Sequence, residues 1–476
     1  MKKLLLILLL FPSILYAQKW VDTTYQIQID RDSVFGTAID FAGNSRTLTM
    51  DIAYPTNDTP PMCGRPLVIV LFGGAWLSGD KSVGEVQRLM EDFAKRGYVA
   101  VAPNYRLGMF QTNSNWNCNI SPIFDIEWNC LNAQDTSEWY RAYYRAVQDT
   151  KGAIRYMVNQ RENFNINVQN IFTTGFSAGG FTALGSAFLD HESEWKSFAD
   201  ALPDALAPNV IYENGCIKKY GWDSSIASMN LERASLGNLD GDLNQPATSP
   251  FRIRGVGNLF GGMFFNLLDS NDGNHSAAIY GFHQPNDLIV PYNINRKVFD
   301  GFSSCLYSLC NQGIINRPYA YSSPTIRDWA TQTSGFTKVD FLFDSTKNYT
   351  DCAGQIANPS QGGHQLDNWN RTWNMATYFA SKIDTTDCVI VDQVKQINEV
   401  IGVLYPNPAA SRITVETNAQ IQSISIYNTL GKLHSTYAVG NLKSYTITNL
   451  KLENSVYLCS IHTDKGVIIR RLIINN

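Results

Sequence analysis

One segment constrains this chain more than any other: Ile171-Phe172-Thr173-Thr174, then Gly175-Phe176-Ser177-Ala178-Gly179, then Gly180-Phe181-Thr182-Ala183-Leu184. The first four residues are β-branched or aromatic and suit a buried strand. The last five are small or apolar and suit a helix running to about Leu189. Between them lies a Gly-x-Ser-x-Gly turn, whose glycines remove the side chains that would clash where the chain bends sharply. A strand, such a turn and a helix present a serine hydroxyl above the C-terminal edge of a sheet. Ser177 is therefore the candidate nucleophile. The backbone N–H of Ala178 is a candidate donor to a developing oxyanion.

Serine is a weak nucleophile at neutral pH and needs a base, itself held by a carboxylate. In a sheet of this kind the acid and then the base follow the serine in chain order. The chain has six histidines: His191, His275, His283, His364, His434 and His462. The last two fall in a β-rich C-terminal region, and His364 alone lies late enough before it. It sits in Gln361-Gly362-Gly363-His364, ahead of a closing helix over Asn368–Lys382. Asp287 follows the strand pattern Ala277–Gly281 directly and is the candidate acid. Asp269 and Asp272 precede that strand and are less suited, and His283 reads as a support for the Asp287 loop. A second pair of donors is expected from Gly73 and Gly74, which end the continuous apolar run Pro66–Phe72. Glycines after a strand let the backbone approach a ligand closely.

The remaining pattern places these residues on an α/β fold. Tyr25–Ile29, Val34–Phe41 and Thr47–Tyr54 alternate as antiparallel strands, with turns expected at Arg31-Asp32 and Gly43-Asn44. Ser82 and Glu85 have capping-box spacing. Val86, Leu89, Met90, Phe93 and Ala94 then recur at helical spacing until Gly97. Further strands are expected at Tyr98–Ala102 and Ile253–Gly257, and a long helix over Glu138–Gln160. Strands alternating with helices imply a mostly parallel sheet covered on both faces. Residues Gly108–Ser137 break this order and read as a cap over the site. Trp116, Trp128 and Trp139 could line a cleft there or pack in the core. Asp240-Gly241-Asp242 resembles the start of a calcium loop. Phe251 occupies the place of its distal glutamate, so a solvated turn is expected instead.

The chain begins with Lys2-Lys3, the apolar run Leu4–Leu10 and a small residue at Ala17, the pattern of a signal peptide over 1–17. That run is too short to span a bilayer, and no later stretch is long enough. Nine cysteines suit an oxidising compartment. Eight precede the C-terminal region and could form up to four disulfides, Cys118 with Cys130 and Cys305 with Cys310 among them. Cys459, in an apolar strand, reads as a buried free thiol. No cysteine or histidine spacing suggests zinc, and no cofactor is expected. A net charge of -4 gives no electrostatic case for nucleic acid.

The boundaries that follow are a catalytic domain over 18–384, a linker over 385–402 and a β-sandwich over 403–476. Several segments of the larger part resemble the acetyl-esterase and carboxylesterase-like α/β-hydrolases. These are Gly73-Gly74-Ala75-Trp76 with Ser78-Gly79-Asp80-Lys81, Asn104-Tyr105-Arg106-Leu107-Gly108, the helix Ala146–Val158, Gly175–Gly180, and Asp287 before Val290-Pro291. The family commonly has histidine where this chain has Phe72, and that histidine orders the oxyanion loop. The resemblance implies hydrolysis of carboxylic esters through an acyl-enzyme, with acetyl or feruloyl groups on polysaccharides as possible substrates. A serine peptidase of the same fold and a non-catalytic surface-binding homologue are the alternatives. From about Val403, Tyr405-Pro406-Asn407-Pro408 and the β-rich remainder resemble type IX secretion sorting domains. That implies recognition by the secretion machinery and delivery outside the cell.

Overall fold

The computed structural model describes residues 18–41, 43–110, 136–194, 215–216, 234–268, 277–292, 296–299, 317–332, 339–346, 363–366, 369–385, 402–429 and 431–475. The expected signal peptide and most of the expected cap and linker lie outside them. So do Trp116, Trp128, Asp269, Asp272 and His275. The chain divides into two compact units, residues 1–384 and 385–476.

The larger unit is built on eight strands: β1 (Ile27–Ile39), β2 (Ser45–Pro55), β3 (Arg65–Leu71), β4 (Val99–Pro103), β5 (Ile166–Phe176), β6 (Ile253–Leu259), β7 (Ala278–Phe282) and β8 (Phe341–Asp344). They lie side by side in the order β1-β2-β4-β3-β5-β6-β7-β8. The pairs β1/β2 and β2/β4 are antiparallel, and every later pair is parallel. Strands β3 and β4 are buried at every residue, as their unbroken apolar runs require of strands covered on both faces. Helices α1 (Gly84–Lys95), α2 (Thr136–Asn159), α3 (Ala178–Phe188), α4 (Ser323–Gln332) and α5 (Trp369–Lys382) fill the connections.

Two local expectations are corrected. Arg31-Asp32 is not a turn, because β1 runs through it with a register shift against β2, and Asp32 takes φ 54°. The extra length is absorbed as a bulge, which alternation alone cannot distinguish from a turn. The capping box of Ser82 and Glu85 does not form either. The N-cap of α1 is Val83 with no side-chain cap, and the Ser82 hydroxyl bonds Asp80 instead. Val86, Leu89, Met90, Phe93 and Ala94 are buried as their spacing requires, and Gly97 ends the helix at φ 104°.

Residues from three of the segments singled out by resemblance fasten the loops above β3 and β4. The Arg106 guanidinium grips the fully buried Asp149 of α2 from 2.8–2.9 Å, and the Arg106 N–H donates to the same carboxylate at 2.7 Å. Asn104 accepts the Lys81 N–H at 2.8 Å. The Lys81 ammonium lies 2.5 Å from buried Asp51 and 2.9 Å from Asp32. Burial alone would raise the Asp51 pKa. Its bonds to Lys81, Asp32 and Arg31 outweigh that and hold the carboxyl below the usual range.

The smaller unit is all β: β9 (Gly402–Tyr405), β10 (Arg412–Asn428), β11 (Leu433–Thr448), β12 (Val456–Thr463) and β13 (Gly466–Ile473). All pairs are antiparallel. The long strand β10 shifts register between Glu416 and Ile421, so its first half pairs with β9 and its second with β12. One bent sheet thus closes over a core of its own, in which Ile413, Ile424, Ile426, Cys459, Ile461 and Leu472 are buried. Cys459 is a free thiol, and burial pushes it up to about 12. Cys63, in the larger unit, is disulfide-bonded. The pairings suggested for Cys118, Cys130, Cys305 and Cys310 lie outside the described residues.

Candidate active site

Strand β5 delivers the chain to Ser177, which takes φ 53° and ψ -120° before α3 begins. A non-glycine residue in that region is strained and is kept there only by its surroundings. Here the Ser177 N–H donates to Leu259 O at 3.0 Å, and Ser177 O accepts Gly180 N–H at 2.9 Å. A methyl group on Gly179 would meet Leu71 O at 2.4 Å, so the first turn of α3 reaches β3 only because that residue is glycine.

The loop after β3 lies against the serine, since a Cβ on Gly73 would sit 3.1 Å from the Ser177 Cβ. Gly74, Ala75 and Trp76 all take positive φ, at 109°, 55° and 58°. Phe72, at the head of this loop, is buried with its ring stacked on Tyr105, centroids 4.0 Å apart and planes 4° apart. The Tyr105 hydroxyl donates to Phe72 O at 2.7 Å, and burial raises its pKa, which keeps it a donor. A ring stack and a phenol bond therefore hold this end of the loop.

Asp287 follows β7 in a loop that its own side chain closes. One carboxylate oxygen accepts the N–H groups of Ile289 and Val290 at 2.8 and 2.9 Å. The other lies 2.8 Å from His364 Nδ1 and 3.2 Å from His283 Nε2. Burial alone would raise this carboxyl, but the charge of His364 and the bonds from His283 and His364 hold it below the usual range. An ionised acceptor at Nδ1 directs the His364 proton there and leaves Nε2 as a base. His283 is fully buried, and its Nε2 also lies 2.9 Å from Val290 O. With an acceptor on both sides, that nitrogen carries its proton and braces the acid loop, as its place in the sequence suggests. Gly363 is fixed by contact: a Cβ there would lie 2.4 Å from the Asn286 carbonyl carbon.

Ser177, His364, Gly73, Gly74 and Ala178 line one cavity of about 560 Å³. Trp76, Trp139, Phe181, Val298 and Phe299 also face it, while Ser78, Asp80, Ser82 and Glu85 supply polar lining. Trp139 thus lines the cleft and is buried as well. Sequence reasoning missed three contributors. Phe260 sets its ring 4.7 Å from the His364 ring, and Gln284 accepts the Gln365 N–H at 3.0 Å. Thr182 accepts the Trp76 indole N–H at 3.1 Å. None has a signal in the sequence, because each depends on two distant loops meeting. Among the described residues no cluster of His, Cys, Asp and Glu could hold a metal ion, and Asp240 pairs with Lys151 at 3.1 Å.

Part of this frame, from β3 through the serine turn after β5 to α3, lies within a sequence match. The BD-FAE family, an esterase-like α/β-hydrolase domain, matches residues 50–121 and 113–222 in two overlapping segments. Residues 403–475 match the secretion system C-terminal sorting domain. The larger unit has the α/β-hydrolase fold, and the chain carries a C-terminal sorting domain. That second domain marks it for type IX secretion to the cell surface or beyond. Among the described residues no helix is long and apolar enough to cross a membrane. A truncated carbohydrate esterase from gut microbiota is similar in structure at 14% identity and TM-score 0.38, covering 76% of this chain and 98% of that one. A bifunctional GH43-CE protein of Bacteroides eggerthii is similar at 13% identity and TM-score 0.39, covering 75% of this chain and 38% of that one. A propionate-bound esterase of Thermogutta terrifontis is similar at 13% identity and TM-score 0.33, covering 73% and 94%. No curated protein is significantly similar to the chain in sequence.

Proposed function

We propose that the α/β-hydrolase unit cleaves carboxylic esters through an acyl-enzyme formed on Ser177. The observation that carries this reading is the single cavity shared by Ser177, His364, Gly73, Gly74 and Ala178, with His364 tied to buried Asp287. His364 Nε2 takes the serine proton as the hydroxyl attacks the ester carbonyl. Asp287 holds the imidazolium in place. The backbone N–H groups of Gly73, Gly74 and Ala178 receive the oxyanion. The alcohol leaves with the proton from His364. Water, deprotonated by the same nitrogen, then releases the acid and frees the serine.

The cavity exceeds what an acetyl group fills, and its wall of Trp76, Trp139, Phe181 and Phe299 suits a flat or alkyl acyl chain. Delivery outside the cell fits substrates too large to enter it, so acyl groups on polysaccharides, acetyl or feruloyl, are the proposed class. Ser177→Ala should lower hydrolysis of p-nitrophenyl acetate and methyl ferulate by on the order of 10³-fold or more while leaving circular dichroism unchanged. Wild-type rates in that variant would sink the mechanism.

A further inference from the structure

The oxyanion donors proposed above belong to two separate elements. Gly73 and Gly74 ride on the loop after β3, whereas Ala178 opens α3. A pocket for one oxygen needs these N–H groups to converge on one point. Contacts within the loop, such as the Leu77 and Ser78 N–H groups donating to Gly74 O at 2.9 and 3.1 Å, fix its shape. They do not fix where it stands relative to α3. Trp76 does reach across. Its indole N–H donates to Thr182 Oγ1 at 3.1 Å, and the Thr182 hydroxyl donates to Ala178 O at 2.8 Å. One hydroxyl therefore joins the loop to the residue that supplies the other donor.

Trp76 holds a backbone conformation that a bulky side chain seldom adopts, at φ 58°. Such strain persists only where neighbours overdetermine it. The rings of Trp139, Tyr143, Phe181 and Phe264 surround the indole, with centroids 5.6–6.2 Å away. Ring contacts locate the indole, and the directional bond to Thr182 sets its rotation. Thr182 is fully buried, yet it is not part of the cavity wall. A change at its hydroxyl can therefore reach the reaction only through what it holds.

We infer that Thr182 is a positioning residue, which aligns the two halves of the oxyanion hole by bonding Trp76 on one side and Ala178 on the other. This rests on the esterase reading, because alignment of the donors counts only when charge develops on the ester oxygen. Losing the bond should weaken transition-state binding and leave ground-state binding alone, so the effect falls on kcat.

The test uses the full chain. Thr182→Val keeps the shape and removes the hydroxyl. It should lower kcat on p-nitrophenyl acetate about tenfold, with KM within about twofold and a folded circular dichroism spectrum. Thr182→Ser should restore kcat. In a double-mutant cycle, Trp76→Phe and Thr182→Val should be non-additive, because each removes the same bond. A folded Thr182→Val protein with wild-type kcat overturns the inference, as does a loss in KM alone. If Thr182→Val does not fold, Thr182→Ala takes its place, and failure of both to fold makes the hydroxyl structural and also overturns the inference. Wild-type protein with no esterase activity overturns the functional reading instead. A dead Ser177→Ala variant beside an unaffected Thr182→Val variant rejects the positioning role alone.

Discussion

Asp287 concentrates the electrostatics of the site. It is buried, yet two backbone N–H groups and two histidines face its oxygens. Its pKa is depressed, so it stays ionised through the ordinary carboxylate range, and the acid limb of kcat/KM should show no second inflection near pH 4. Replacing it with asparagine keeps the volume but removes the charge that fixes the His364 tautomer. Asp287→Asn should therefore lower kcat by on the order of 10³–10⁴-fold, read by steady-state kinetics on an activated ester. A loss of tenfold or less would mean that His364 is oriented without it. Cys459 is the opposite case, a titratable group with no catalytic contact. Its folded pKa is raised, so the stability it adds is full below the ordinary thiol value and fades as pH climbs through about 12. It should resist a thiol reagent at pH 8 until the smaller unit unfolds.

At the scale of elements, the joint between the loop after β4 and helix α2 bears most on stability. Asp149 is fully buried, and Arg106 is its only charged partner among the contacts described. Arg106→Ala would strand that charge, leaving one backbone N–H to solvate it. Breaking a buried pair in this way costs about 3–5 kcal/mol. A clear fall in Tm, with Ser177 chemistry largely retained in the protein that stays folded, is the expected outcome of a thermal melt. A Tm within a degree of wild type would show that the loop is held elsewhere. The Phe72–Tyr105 stack is a weaker fastening, of about 0.5–1.5 kcal/mol beyond its burial. It stands at the head of the loop that carries Gly73 and Gly74.

The whole molecule consists of two units with separate cores. Every residue proposed for chemistry lies before Asp384, and the sorting domain contributes none of them. A chain ending at Asp384 should hydrolyse esters at the rate of the full-length protein, measured as kcat on the same substrate. A loss greater than about threefold would tie the sorting domain to folding or to the site.

The candidate site was legible in the sequence wherever one local pattern demands one residue type. Gly175–Gly179 must turn sharply after a strand, so Ser177 was readable. The scarcity of histidine and the chain order of the sheet pointed to His364 and Asp287, and the structure sets them 2.8 Å apart. Apolar runs gave β3, β4 and the buried face of α1, because burial on two faces or one leaves a period in the sequence. The tertiary structure alone decided the rest. Arg31-Asp32 is a bulge because β2 pairs across it, and Ser82 caps nothing because α1 begins one residue later, with Val83 at its N-cap, and its hydroxyl bonds Asp80. The hydroxyl of Thr182 matters because Trp76, 106 residues earlier, points its N–H there. Local sequence carries periodicity and turn chemistry. It does not carry the meeting of two distant elements, and that meeting is what ties Trp76 to Thr182.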